Sequence, residues 1–218
     1  MTLIASEFIA APPAPESRGD AELVALLFGA GRAGPQAIDD ARLLLLRCGS
    51  LQKLLSLDNC AASALSGYGA RRHTLLRAAL ELARRHYLAE ISSGPMLDSP
   101  QATRSFLISR LRDLPHELFC MLTLDNRQRL NAFDELFRGT IDGASVHPRE
   151  VVRQALARNA SAVILAHNHP SGIAEPSQAD ELITQRLKDA LGLMDIRVLD
   201  HLVVGGARCV SFVERGLL

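Results

Sequence analysis

Along the first half of the chain, apolar residues recur at intervals of three and four. The pattern runs through Leu23, Val24, Leu26 and Leu27, then Ile38, Ala41, Leu44 and Leu45, then Leu51, Leu54 and Leu55, and finally Leu75, Leu76, Ala79 and Leu82. A period near 3.6 turns one stripe of each segment toward a core, so it predicts a helical domain over residues 20–92. Residues 1–19 have no period and hold Pro12, Pro13 and Pro15, which predicts a flexible arm. Turn formers in Ser92-Ser93-Gly94-Pro95 and Ser99-Pro100 predict a linker over 93–98 and a second domain over 99–218. In that second part, strand-length apolar runs appear. Leu118 to Leu124 stops at the turn signal Asp125-Asn126, a further run reaches Gly139, and Ala162 to Ala166 reads as a buried strand. Arg197 to Val204 and Cys209 to Val213 read as closing strands around Gly205-Gly206. Helices are predicted from Gln101 to Leu111, from Pro148 to near Asn159, and from Ser177 onward with Leu182, Ile183, Leu187 and Leu191 inward. The sum is an α/β (α+β) chain: helices first, then a mixed sheet flanked by helices.

Composition narrows the function classes. Of 218 residues, 48% are hydrophobic and 22% charged, ordinary globular proportions that argue against disorder and fibrous repeats. Lys+Arg and Asp+Glu both total 24, so no net field draws the chain to nucleic acid or an anionic membrane, and any basic face must be local. The apolar runs fall far short of the roughly 20 residues a membrane span needs, and no basic residue precedes Arg18, so a cytoplasmic protein without membrane contact is expected. Cys48, Cys60, Cys120 and Cys209 form no CxxC pair, which fits reduced thiols.

The candidate chemistry sits after the run Ala162 to Ala166, where His167-Asn168-His169 follows directly. Side chains alternate along an extended segment, so both imidazoles leave on one face, the way two nitrogens reach one ion. Ser177 comes eight residues after His169 and Asp180 three later. With Ser177 at a helix start, Asp180 lies one turn in, and the loop holding Pro170, Gly172 and Pro176 turns its carboxylate back to the imidazoles. Two nitrogens and one oxygen suit zinc with a fourth position for water. The same set also forms the facial triad of a non-haem iron enzyme. Plainer readings exist for each residue: a core histidine beside an exposed one, and an acid favoured by the helix dipole.

The string His167-Asn168-His169-Pro170 with Ser177-Gln178-Ala179-Asp180 resembles the metal motif of the JAB/MPN (JAMM) metalloprotease superfamily. Val146-His147-Pro148-Arg149-Glu150-Val151, Ala166 to Gly172, and Leu199-Asp200-His201 resemble the RadC family within it, over about Ser99 to Leu218. The resemblance implies a JAB/MPN-like metallohydrolase domain, zinc on His167, His169 and Asp180, Ser177 near the oxyanion, and a peptide or protein substrate cut at a peptide or isopeptide bond. It also implies a glutamate general base upstream, and Glu117 in Pro115-His116-Glu117-Leu118-Phe119 holds the matching position. Glu135, on a later strand, and Glu150, at a helix start, are the rivals. Asp200 and His201 are expected to be satisfied by backbone hydrogen bonds, with contact to a metal-bound imidazole as the other reading. Gly139 and Gly143 read as turn or bulge residues, because no Lys-Ser/Thr follows either.

Gly67-Tyr68-Gly69-Ala70-Arg71-Arg72 resembles the helix-hairpin-helix turn that RadC-type proteins carry before the catalytic domain. In such a turn Gly67 and Gly69 admit a phosphate to the backbone, and Arg71 and Arg72, with Arg77, Arg84 and Arg85, add charge against Glu81. DNA is therefore an expected partner of this segment, with a solvated basic helix face as the alternative, and the bulky His73 argues against close helix packing. Three functions compete: a zinc metallohydrolase, on a DNA-associated substrate in one version, a DNA-binding repair or mobile-element accessory protein with a structural metal, and a non-haem iron enzyme.

Overall fold

The computed structural model describes residues 14–92, 100–139 and 146–218. The linker expected over 93–98, the start of the expected arm and Gly143 lie outside them. Two compact units divide between Ala79 and Leu80.

In the first unit, α1 (Asp20–Phe28), α2 (Pro35–Cys48), α3 (Leu51–Ser56) and α4 (Asn59–Ala64) precede α5 (Gly69–Ser92), inside which the division falls. Their boundaries follow local chemistry. Pro35 opens α2, where a missing N–H costs nothing, and Gly49 ends it at φ 87°. The Ser50 hydroxyl oxygen accepts from Lys53 N–H and the Asp58 carboxylate from Ala61 N–H, capping α3 and α4. The periodic residues Val24, Ala41, Leu44, Leu54 and Leu76 form the core with Ala25, Ala62 and Tyr68.

The second unit holds α6 (Pro100–Leu111), β1 (Leu118–Leu124), β2 (Leu130–Arg138), α7 (Pro148–Ala157), β3 (Ala162–Asn168), α8 (Gln178–Gly192), β4 (Arg197–Gly205) and β5 (Arg208–Ser211). The sheet order is β2-β1-β3-β4-β5, antiparallel except where β3 and β4 run parallel on either side of the α8 crossover. This is the expected mixed sheet flanked by helices. β1 and β3 are buried at every position, because both faces of the sheet are covered. Cys120, Leu122, Ile164 and Ala166 pack on α6 through Phe106, Leu107 and Leu111. Phe119, Met121, Val163 and Leu165 pack on α7 and α8 through Val151, Ala155, Leu187 and Leu191.

Two local expectations are corrected. Leu182 is exposed, because the face of α8 turned inward follows Asp180, Thr184, Leu187 and Leu191, and Leu182 lies off that stripe. β5 ends at Ser211, where the chain is drawn aside: Phe212 N–H donates to the His201 carbonyl and Val213 N–H to Asp200 Oδ1, at 3.0 and 3.2 Å.

Candidate metal centre

β3 delivers His167 and His169 to one face at its end, and α8 begins beside them. Ser177 caps α8: its hydroxyl oxygen accepts Asp180 N–H at 3.2 Å, while Asp180 Oδ2 accepts Ser177 N–H at 2.7 Å. That reciprocal cap fixes Asp180 in the first turn, facing the imidazoles. Nε2 of His167 lies 3.2 Å from Asp180 Oδ1, and Nε2 of His169 lies 3.4 Å from Asp180 Oδ2. The two Nε2 atoms are 3.0 Å apart. Among the described residues this is the single cluster of three His, Cys, Asp or Glu side chains close enough to share an ion, with one ligand atom each within 4.8 Å of the others.

The electrostatics fit a cation. Burial opposes ionisation of Asp180, yet hydrogen bonds from His167 and His169 outweigh it and hold the carboxyl well below the usual carboxylate range. The hydrogen bond with Asp180 raises His169, with smaller help from the Ile173 carbonyl and the charge of Glu117. His169 Nδ1 lies 2.8 Å from that carbonyl, which can only accept, so Nδ1 carries the proton and a neutral ring turns a bare Nε2 inward. The donor set, two imidazole nitrogens and a carboxylate oxygen, is one that zinc takes.

Register places Glu117. Phe119 pairs with His167 across the antiparallel β1/β3 ladder, so continuing the ladder by two residues sets Glu117 opposite His169 on the same face. Asn168, pointing to the other face, holds that continuation. Its Oδ1 accepts Leu118 N–H at 2.8 Å and its Nδ2 donates to the His116 carbonyl at 3.1 Å, a clamp around Glu117. The rivals lie elsewhere. Glu135 pairs with Cys120 on the α6 face and bonds Arg110 at 2.7 Å, and Glu150 binds Arg153 at 2.9 Å in the first turn of α7. Ser177 is near the cluster, but its hydroxyl proton goes to Asp180 Oδ2 at 2.6 Å.

Two side chains that hold parts of this site, Asn168 and Thr184, were not marked by the sequence. His201 follows the second of its two expected readings, contact with a candidate ligand imidazole, rather than backbone satisfaction. It is fully buried between Phe119 and Phe212, its Nε2 lies 2.8 Å from His167 Nδ1, and its Nδ1 lies 2.6 Å from the Thr184 hydroxyl. Burial holds its pKa well below the ordinary histidine value. Asp200 does meet backbone, accepting His201 N–H at 2.7 Å and Val213 N–H at 3.2 Å, and it also takes the Ser211 hydroxyl.

In the first unit Gly67 and Gly69 both adopt positive φ, 82° and 69°, which forms the turn between α4 and α5. Arg71 is exposed. Arg72 donates to the Gly67 carbonyl and stacks over Phe28 at 5.2 Å, so its guanidinium already has internal partners. His73 is buried and lies 3.3 Å from the Tyr68 hydroxyl through Nδ1, so its bulk is accommodated in the packing it was expected to oppose.

A mixed sheet with a His-x-His strand end and a capping aspartate facing it defines a JAB-type domain. The model of the RadC-like JAB domain matches residues 97–217, and the chain belongs to that family. It is 60% identical over 199 residues to a UPF0758 protein of Thioalkalivibrio sulfidiphilus, covering 91% of this chain and 89% of that one. It is 57% identical over 204 residues to a UPF0758 protein of Nitrosococcus oceani, covering 94% and 91%. A UPF0758 protein of Halorhodospira halophila is 53% identical over 204 residues, covering 94% and 91%.

Proposed function

We propose that the chain is a zinc-dependent hydrolase of peptide or isopeptide bonds. The observation that supports this reading best is the convergence of His167, His169 and Asp180, with ligand atoms within 4.8 Å, while the ladder register turns Glu117 to the same face. Zinc on those three residues would act as a Lewis acid and make water acidic near neutral pH. Glu117 then serves as the base that accepts the proton from water and returns it to the leaving amine. The Asn168 clamp keeps Glu117 at the end of the ladder. Ser177 supports the oxyanion if its hydroxyl proton leaves Asp180, whose Oδ2 keeps the Ser177 N–H as partner.

Metal analysis of the purified chain, run beside cleavage of a peptide library and of isopeptide-linked probes, tests this reading. His167→Ala and Asp180→Ala each lose the metal. Glu117→Gln retains it and loses hydrolysis by on the order of 10²-fold or more, the scale of a missing general base. Iron in place of zinc would return the non-haem iron reading. Full hydrolysis by Glu117→Gln would remove Glu117 as the base.

A further inference from the structure

The buried contacts behind His167 form a directed chain that starts and ends at the candidate ligands. Thr184 Oγ1 lies 2.5 Å from the Asp180 backbone carbonyl and 2.6 Å from His201 Nδ1. A carbonyl oxygen only accepts, and a threonine hydroxyl has one proton to give. Once that proton goes to Asp180, the hydroxyl oxygen faces His201 as an acceptor, so His201 Nδ1 must be the protonated nitrogen. A neutral His201 then has a bare Nε2, 2.8 Å from His167 Nδ1, which must donate to it. A neutral His167 then has its lone pair on Nε2, the atom that faces Asp180 Oδ1 at 3.2 Å and that a cation would take in place of any proton shared with that carboxylate.

On this geometry we infer that Thr184 and His201 are positioning residues that lock His167 in the tautomer able to bind a metal. The opposite direction, with Thr184 donating to His201, would put a proton on His167 Nε2 and occupy the position a metal needs. His169 needs no such relay, because the Ile173 carbonyl sets its tautomer in one step. His167 is fully buried and has no carbonyl at Nδ1, so its orientation depends on a side chain from β4 and, through it, on α8. Ligating histidines are held in this way by partners on their second nitrogen, and losing such a partner weakens metal binding by roughly 10- to 100-fold. The inference rests on the metal reading of the site and extends it to residues that touch neither metal nor substrate.

The test uses the full chain. Imidazole ¹⁵N spectra, recorded metal-free and zinc-loaded, report which nitrogen of His201 carries the proton, and zinc alone is titrated against a chromogenic chelator. The expected result is a proton on His201 Nδ1 and a bare Nε2 in both states. Thr184→Val, which keeps the shape of the side chain, is expected to lose that preference and bind zinc about 10- to 100-fold more weakly. Thr184→Ser is expected to restore both. A proton on His201 Nε2 in the unaltered chain overturns the inference, and so does Thr184→Val binding zinc as tightly as the unaltered chain. If the unaltered chain takes up no zinc, the proposed function falls, while the metal-free spectrum still decides the relay. If Thr184→Val does not fold, that same spectrum decides.

Discussion

Without a metal, Asp180 and His169 stabilise each other as an ion pair, and pH separates their contributions. Asp180 is held so far down that it stays ionised from weakly acid to weakly basic solution. His169 is raised, so its stabilising charge is fully present below its ordinary pKa of about 6.5 and is lost as pH climbs through the raised value. The difference in metal-free unfolding midpoint between the unaltered chain and His169→Ala is therefore expected to shrink from pH 6 toward pH 8. For a part-buried pair worth about 1 kcal/mol, that is roughly 2–4 °C in a chain of this size. A difference that grows with pH would contradict the pairing. Zinc affinity runs the other way and rises with pH, because ligating rings must be neutral. At this scale the sequence disclosed the His167, His169 and Asp180 cluster because two short-range rules produce it, strand alternation and a helix cap. It left His201 with two readings, of which contact with a candidate ligand is the one found, and it did not disclose Thr184. His201 meets His167 from β4, 34 residues further along the chain, and Thr184 of α8 meets His201, contacts that no local pattern announces.

Elements, more than single side chains, set how close the loop after β3 comes to the sheet. Gly205 closes β4 under residues 173 and 174, where an added Cβ would fall 2.3 Å from Ala174 N and 2.5 Å from Ile173 C. The Ile173 carbonyl orients His169, so Gly205→Ala is expected to push that carbonyl away and weaken zinc binding by about tenfold or more, by loss of a ligand's partner. Gly192→Ala, at the end of α8 with open space around its Cβ, should leave zinc affinity unchanged and raise stability by about 0.5–1 kcal/mol. Zinc titration and denaturant unfolding of both variants check this, and equal zinc affinity for Gly205→Ala would show that the loop tolerates the shift. Elements with strong local signals were legible: β1 and β3 as unbroken apolar runs, α7 from Pro148, α8 from its Ser177 cap. The end of β5 was not, because Val213 N–H leaves the ladder for the Asp200 carboxylate, 13 residues away in sequence.

Across the whole molecule, formal charges cancel at 24 against 24 and no described helix is long and apolar enough to cross a membrane. Helix-then-sheet order was readable from the change of period, which needs no long-range information. The division between units was harder to read, because α5 runs unbroken through Ala79 and Leu80 and a continuous helical stripe carries no punctuation. One feature near the sheet connects site and stability. The carboxylate that closes the first turn of α8 is the one that faces the imidazoles. A bound cation would therefore resist fraying of that turn, and the turn's local opening would report whether the site is filled. The backbone amides of Asp180 and Glu181 are expected to exchange with deuterated solvent more slowly when zinc is added, while amides at the far end of α8 keep their rate. An unaltered rate at both ends would show that ligand and cap act separately, and slowing of the first turn would make deuterium uptake there a measure of occupancy that needs no substrate.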